Sequence, residues 1–153
     1  MKKILTFVFA LVFTLAMPNN VNAQLRKTAN IEKVKSFTNG SVVLNRTTAD
    51  STSIYSVTLR NNSKYHESIV FFLGNKEDMI KNLNDLSDAL KSGKKGDTFE
   101  FSSIGEKYHL SYDKVLGQVC FRIRKPHSIS SDFGRLYKAT IDDIIAYFEK
   151  EDK

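Results

Sequence analysis

Tryptophan is absent from this 153-residue chain, cysteine occurs once, proline twice and histidine three times. A lone cysteine, Cys120, excludes an internal disulfide, so packing must hold the fold together. His66, His109 and His127 are widely spaced, with no paired His or Cys at ligand spacing, so no metal signature is present. Gly93, Gly96 and Gly105 are turn glycines without the strand, loop and helix context of a phosphate-binding loop. There is no Gly-x-Ser-x-Gly elbow, and no carboxylate pair stands out from the solvated ones. Nothing in the sequence calls for a cofactor. Beyond Met17 no apolar run approaches the ~20 residues a membrane span needs.

What is present begins at the N-terminus. Lys2 and Lys3 precede a run from Ile4 to Met17 that is apolar except for Thr6 and Thr14. Pro18 follows, and Val21-Asn22-Ala23 ends the segment with branched or small residues. That order is a secretory signal peptide over residues 1–23, cleaved before Gln24. It implies an exported protein, periplasmic or secreted, with no transmembrane segment in its mature form. No cysteine follows the cleavage region, which argues against a lipid anchor. The chain is 41% hydrophobic and 26% charged, a globular composition. The leader's two lysines account for two of its net +6 charges, leaving +4 on the rest. That favours weak attraction to anions but falls short of a dedicated nucleic-acid binder.

Two segments have the period of a helix. In residues 76–92, Met79, Ile80, Leu83, Leu86 and Leu90 form one stripe, Asn75 is the N-cap and Gly93 the stop. In residues 141–150, Ile141, Ile144, Ile145 and Phe148 form the stripe, with Thr140 as the N-cap. Strands are expected over residues 41–46, 53–60 and 68–73 before the first helix. Residues 97–103, 107–112, 118–125 and 135–138 are the strands expected before the second. Turns fall at Asn39-Gly40, residues 61–63, residues 104–106 and residues 113–117. Residues 24–35 are polar and without a firm period, and read as a flexible lead-in.

The two helices look like copies: Asn75, Asp78, Met79, Ile80 and Leu83 reappear as Thr140, Asp143, Ile144, Ile145 and Phe148. The strand 56–60 resembles 120–124 at nearly the same offset; Phe37 and Gly40 align with Phe101 and Gly105. The expected fold is α+β: a single domain over residues 36–153 made of two similar halves, 36–93 and 97–153. Each half is an antiparallel sheet segment followed by one amphipathic helix. This arrangement resembles the duplicated strand-strand-strand-strand-helix units of the Pur-alpha and Whirly families, in topology only. The resemblance implies curved sheets that bind single-stranded nucleic acid.

Strand alternation sends Val57 and Leu59 to one face and Ser56, Thr58 and Arg60 to the other. It sends Val119, Phe121 and Ile123 to one face and Cys120, Arg122 and Arg124 to the other. Tyr108 and Tyr112 share a face with Leu110, which makes them core residues rather than platforms for bases. The candidate ligand site is a cationic patch for an anion: Arg60, Arg122, Arg124 and Lys125, with Arg135 further on. Lys91, Lys94 and Lys95 belong to a solvated turn. Cys120 with His109 is the one candidate nucleophile pair, but a mid-strand cysteine is poorly placed for catalysis. Asp50-Ser51-Thr52 resembles an O-glycosylation tripeptide of exported bacterial proteins. The leading expectation is therefore a non-catalytic exported module that binds a protein partner or an anionic ligand. The alternatives are a polyanion or single-strand nucleic-acid binder, and a cysteine enzyme.

Overall fold

The computed structural model describes residues 29–151, so the signal-peptide segment lies outside the described residues. The first half contains β1 (Asn30–Phe37), a 3-10 turn (Thr38–Gly40), β2 (Val42–Ala49), β3 (Thr52–Leu59), β4 (Ile69–Gly74) and α1 (Lys76–Ser92). The second contains β5 (Thr98–Ser103), β6 (Glu106–Val115), β7 (Gln118–Arg124), β8 (Gly134–Tyr137) and α2 (Lys138–Glu151). Each half is a four-stranded antiparallel sheet in sequence order followed by its helix. The fold is α+β with two similar halves.

Local chemistry sets most of these bounds. In α1 the Asn75 side chain accepts from Asp78 N–H at 2.9 Å, and the Gly93 N–H closes the last turn on the Ala89 carbonyl. Two hairpins turn on residue pairs held entirely at positive φ, Ile104-Gly105 (54° and 75°) and Leu116-Gly117 (49° and 84°). That is the two-residue geometry whose twist matches antiparallel strands. It also corrects the expected five-residue turn at 113–117: β6 runs on to Val115, because two left-handed residues suffice to reverse the chain.

Two further expectations change. The stretch read as a flexible lead-in enters the first sheet from Asn30 onward as β1, paired with β2. Most of β1 is exposed, so it lacks the hydrophobic alternation that marks a half-buried strand. Charged residues such as Glu32, Lys33 and Lys35 are what an edge strand tolerates. The second helix starts at Lys138, directly off β8, rather than after Thr140. Thr140 lies in its first turn, buried, and its hydroxyl meets that of Thr38 in the other half at 2.9 Å. The side chain expected to cap a helix instead ties the halves together.

The register gives the correspondence between halves. Val42 and Leu44 oppose Leu59 and Val57; Leu110 and Tyr112 oppose Ile123 and Phe121. Phe37 opposes Val42 as Phe99 opposes Leu110, so Phe99, rather than Phe101, is the counterpart of Phe37.

One hydrophobic cluster joins both sheets and both helices. Phe148 of α2 packs edge-on against Tyr55 of β3, with ring centroids 5.4 Å apart, and Lys35 Nζ of β1 lies 4.8 Å from the Tyr147 ring. Leu86 and Ala89 of α1 border the same groove as Phe99, Leu110 and Phe121 of the second sheet. Each helix thus reaches the sheet of the other half. The helices also touch, Ser87 Oγ donating to Asp142 at 2.8 Å. Tyr108 completes the junction. It is buried, as the alternation of β6 predicts, and its ring packs edge-to-face with Phe71 of β4, centroids 4.8 Å apart.

Candidate functional site

The two sheets meet where the chain leaves β3. Arg60 N–H donates to the Ser41 carbonyl at 2.9 Å, Asn61 pairs with Gly134 as an antiparallel bridge, and Asn62 N–H donates to the Phe133 carbonyl at 2.8 Å. The approach is close enough to require a glycine: a Cβ on Gly134 would stand 2.6 Å from Leu59 Cβ. Asn61 organises the loop. Its amide donates to the Glu67 carbonyl and to the Asp132 carboxylate, and its carbonyl accepts from Ser63 N–H at 2.9 Å. The Asn61 hydrogen bond, with His66 beside it at 3.4 Å, holds the Asp132 carboxyl below its usual range.

This junction leaves a cleft of about 400 Å³ between the halves. Thr38, Ser41 and Val42 form one wall, the loop residues Arg60, Asn61, Asn62 and Lys64 a second, and Phe133, Arg135 and Tyr137 the third. Three cations line it and no carboxylate does.

Beside the cleft, on the outer face of the second sheet, the Phe133 ring is covered by two guanidinium groups. Arg135 Cζ lies 4.9 Å and Arg122 Cζ 5.3 Å from its centroid. Asp113 holds both: its carboxylate is 2.8 Å from Arg122 Nε and 3.9 Å from Arg135 Nε. The Arg122 hydrogen bond keeps the Asp113 carboxyl below the ordinary range against the opposing effect of its burial, and the same bond raises Arg122. Arg122 is therefore largely neutralised within the protein. Arg135 is less so: one Nη donates to Asn62 Oδ1 at 3.2 Å, and its buried Nε has no hydrogen-bond partner in the structure.

The five arginine and lysine residues singled out in the sequence thus take different places, and Arg135 lines the cleft. Arg60 lines the cleft. Arg122 stands next to it over Phe133, bound to Asp113. Arg124 is half-buried on β7 opposite His109, apart from both. Lys125 pairs with Glu106 at 3.6 Å and borders a separate depression with His66 and Asp132. Sequence reasoning did not single out Lys64, Asn61, Asn62, Phe133 or Tyr137 for the site. Their only signal was a turn-like Asn-Asn-Ser, and the contact that recruits them, Asn61 with Gly134, spans the two halves.

Cys120 is buried, and burial first, then the Asp113 charge, pushes its thiol up to about 11. At neutral pH it is a protonated thiol, not a nucleophile. His109 pairs with Arg124, four positions along β7, while Cys120 faces Asp113 and Tyr137. Among the described residues no group of three or more His, Cys, Asp or Glu side chains is arranged to hold a metal ion. No helix among them is long and apolar enough to cross a membrane. Asp50-Ser51-Thr52 lies exposed at the tip of the β2–β3 hairpin.

No protein-family model, curated protein or solved structure matches this chain.

Proposed function

We propose that this chain is a non-catalytic binding module, exported by its N-terminal leader, that holds an anionic ligand in the cleft between its halves. The observation that carries this reading is the cleft lining itself: Arg60, Lys64 and Arg135 line it together with Asn62, no carboxylate lines it, and Asp113 approaches Arg135 only at 3.9 Å from outside the lining. Guanidinium forks suit carboxylate, sulfate or phosphate oxygens, and a partly enclosed wall strengthens the attraction. Asp113 and Phe133 support the reading, because they hold Arg135 in place from behind without filling the cleft. The burial of Cys120 and the raised pKa of its thiol weigh against the cysteine-enzyme alternative. A stacking site for single-stranded bases finds no support in Tyr108, whose ring is in the core.

The test is heparin retention of the purified protein, followed by calorimetric titration with inorganic phosphate. Arg60 and Lys64 are exposed, so Arg60→Ala with Lys64→Ala should fold normally. The variant should elute from heparin at lower salt and bind phosphate more weakly. Loss of one or two contacts should lower the salt slope by about one unit each. Equal elution and equal phosphate binding by wild type and variant would mean that the cleft is ordinary solvated surface.

A further inference from the structure

A second surface, on the other side of the second sheet, has the opposite charge. β5 is the terminal strand of its sheet, so no strand is hydrogen-bonded to one of its sides, although β4 approaches it through the Phe71 and Phe101 rings, 4.8 Å apart. Which backbone groups face that side follows from the hairpin. The two-residue turn closes on the Ser103 and Glu106 pair, and at the other end Tyr112 N–H donates to the Asp97 carbonyl at 2.9 Å. The odd-numbered residues of β5 therefore bond to β6, and Glu100 and Ser102 turn their N–H and C=O groups outward.

A groove of about 280 Å³ runs along this edge. The four consecutive residues from Phe99 to Ser102 line it, both inward- and outward-facing, as a groove along a strand edge requires. The facing wall is α1, through Asn82, Asp85, Leu86 and Ala89, and Phe99 and Phe101 make an apolar floor. Past Asn82 and Ser102 the groove continues as a further hollow of about 440 Å³ that reaches Asp78. Asp78, Asp85 and Glu100 are the charged residues along both stretches, with no lysine or arginine, in a chain whose net charge is +6.

We propose that this groove receives an extended, basic segment of a partner protein, added to β5 as a further strand. The outward N–H and C=O groups of Glu100 and Ser102 supply the ladder. Phe99 and Phe101 take alternate apolar side chains on the face turned to α1, where Asp85 and Asp78 add negative charge along the helix wall, and Glu100, on the opposite face of β5 beside His109, selects arginine or lysine at the positions between. Net charge would draw a basic partner away from most of this protein's surface, so the groove also fixes where such a partner lands.

The experiment measures fluorescence anisotropy of a labelled short peptide that alternates valine and arginine, titrated with the purified protein. Wild type should bind it in a salt-sensitive way. Asp85→Lys with Glu100→Lys should weaken binding at least about tenfold. Ser102→Pro should weaken it similarly, because it deletes an outward N–H without breaking a bond to β6. Arg60→Ala with Lys64→Ala, at the cleft, should leave it unchanged. Far-UV circular dichroism establishes that each variant is folded; the charge reversal, confined to exposed side chains, carries the test if the proline variant is not. No binding up to about 1 mM peptide, or binding indifferent to the folded groove variants, overturns the proposal. So does self-association of the protein that Ser102→Pro abolishes, since the edge would then belong to a second copy.

Discussion

The Tyr108 hydroxyl donates to the Val70 carbonyl at 3.1 Å and accepts from Phe72 N–H at 3.2 Å. β4 is the terminal strand of the first sheet, so these two backbone groups face away from β3 and need partners from elsewhere. One phenol from the other half satisfies both. Burial raises its pKa, so it stays a protonated donor at any physiological pH. Tyr108→Phe keeps the ring packed edge-to-face with Phe71 but orphans both groups, and should cost roughly 1–3 kcal/mol. Urea unfolding measures it: the midpoint should fall with little change in slope. An unchanged midpoint would mean that water replaces the hydroxyl at no cost. The alternation of β6 was enough to place Tyr108 in the core. It carried no information about the hydroxyl, because nothing local says which strand of the other half lies opposite. Arg122 and Arg60 show the same division. Parity put Arg122 on the outer face, but its capture by Asp113 and the recruitment of Arg60 beside Phe133 depend on the junction between sheets.

At the scale of elements, α1 and α2 present equivalent anchors. Leu83 and Phe148 occupy matching positions and are both almost fully buried, at 0% and 2% exposure. Truncating either to alanine should cost about 2–5 kcal/mol, whereas Lys81→Ala, on the exposed side of α1, should change stability by less than about 0.5 kcal/mol. Chemical denaturation of the three variants decides it; a silent Leu83→Ala would put the wrong face of α1 in the core. The helix bounds show where local reading works. The apolar stripe, Asn75 and Gly93 give α1 its observed limits, because each acts within a turn of the helix. Thr140 misled because its hydroxyl bonds to Thr38 rather than to the helix N-terminus. β1 was missed for a different reason: Val34, Ser36 and Phe37 aside, its side chains are exposed, so its pairing with β2 leaves almost no hydrophobic period to detect. Ile69–Gly74 is apolar without alternation because Val70 and Phe72, on the opposite face of β4, are half-buried as well, with Phe72 packed against the core cluster.

For the whole molecule, the decisive feature is that each helix packs on the sheet of its own half and also reaches across to the other half. Phe148 rests on Tyr55, Thr140 on Thr38, and Leu86 and Ala89 stand over the second sheet. Similar halves were legible in the sequence, because stripe and strand recur at nearly constant spacing. Their interlock was not: an amphipathic stripe says that a helix covers something, not which sheet it covers. An isolated half of about 60 residues is already near the size at which a single core becomes marginal. Here it would keep its own helix on its own sheet but lose the helix–helix contact and the cross-half contacts of Phe148 with Tyr55 and of Tyr108 with Phe71, which leaves apolar surface exposed. We therefore expect residues 29–93 and 94–153, produced as separate fragments divided in the exposed turn after α1, to be unfolded or aggregated alone. Mixed from denaturant, they should recover the far-UV spectrum and cooperative thermal unfolding of the intact chain, since the division falls where the backbone is exposed and turn-like. Two independently stable fragments, each with its own cooperative transition, would show that the halves are separate units and that the contacts across them contribute little. The cationic cleft would then have to be rebuilt from two loosely docked bodies, and phosphate binding by the mixture, measured beside that of the intact chain, would report whether its three cations still converge.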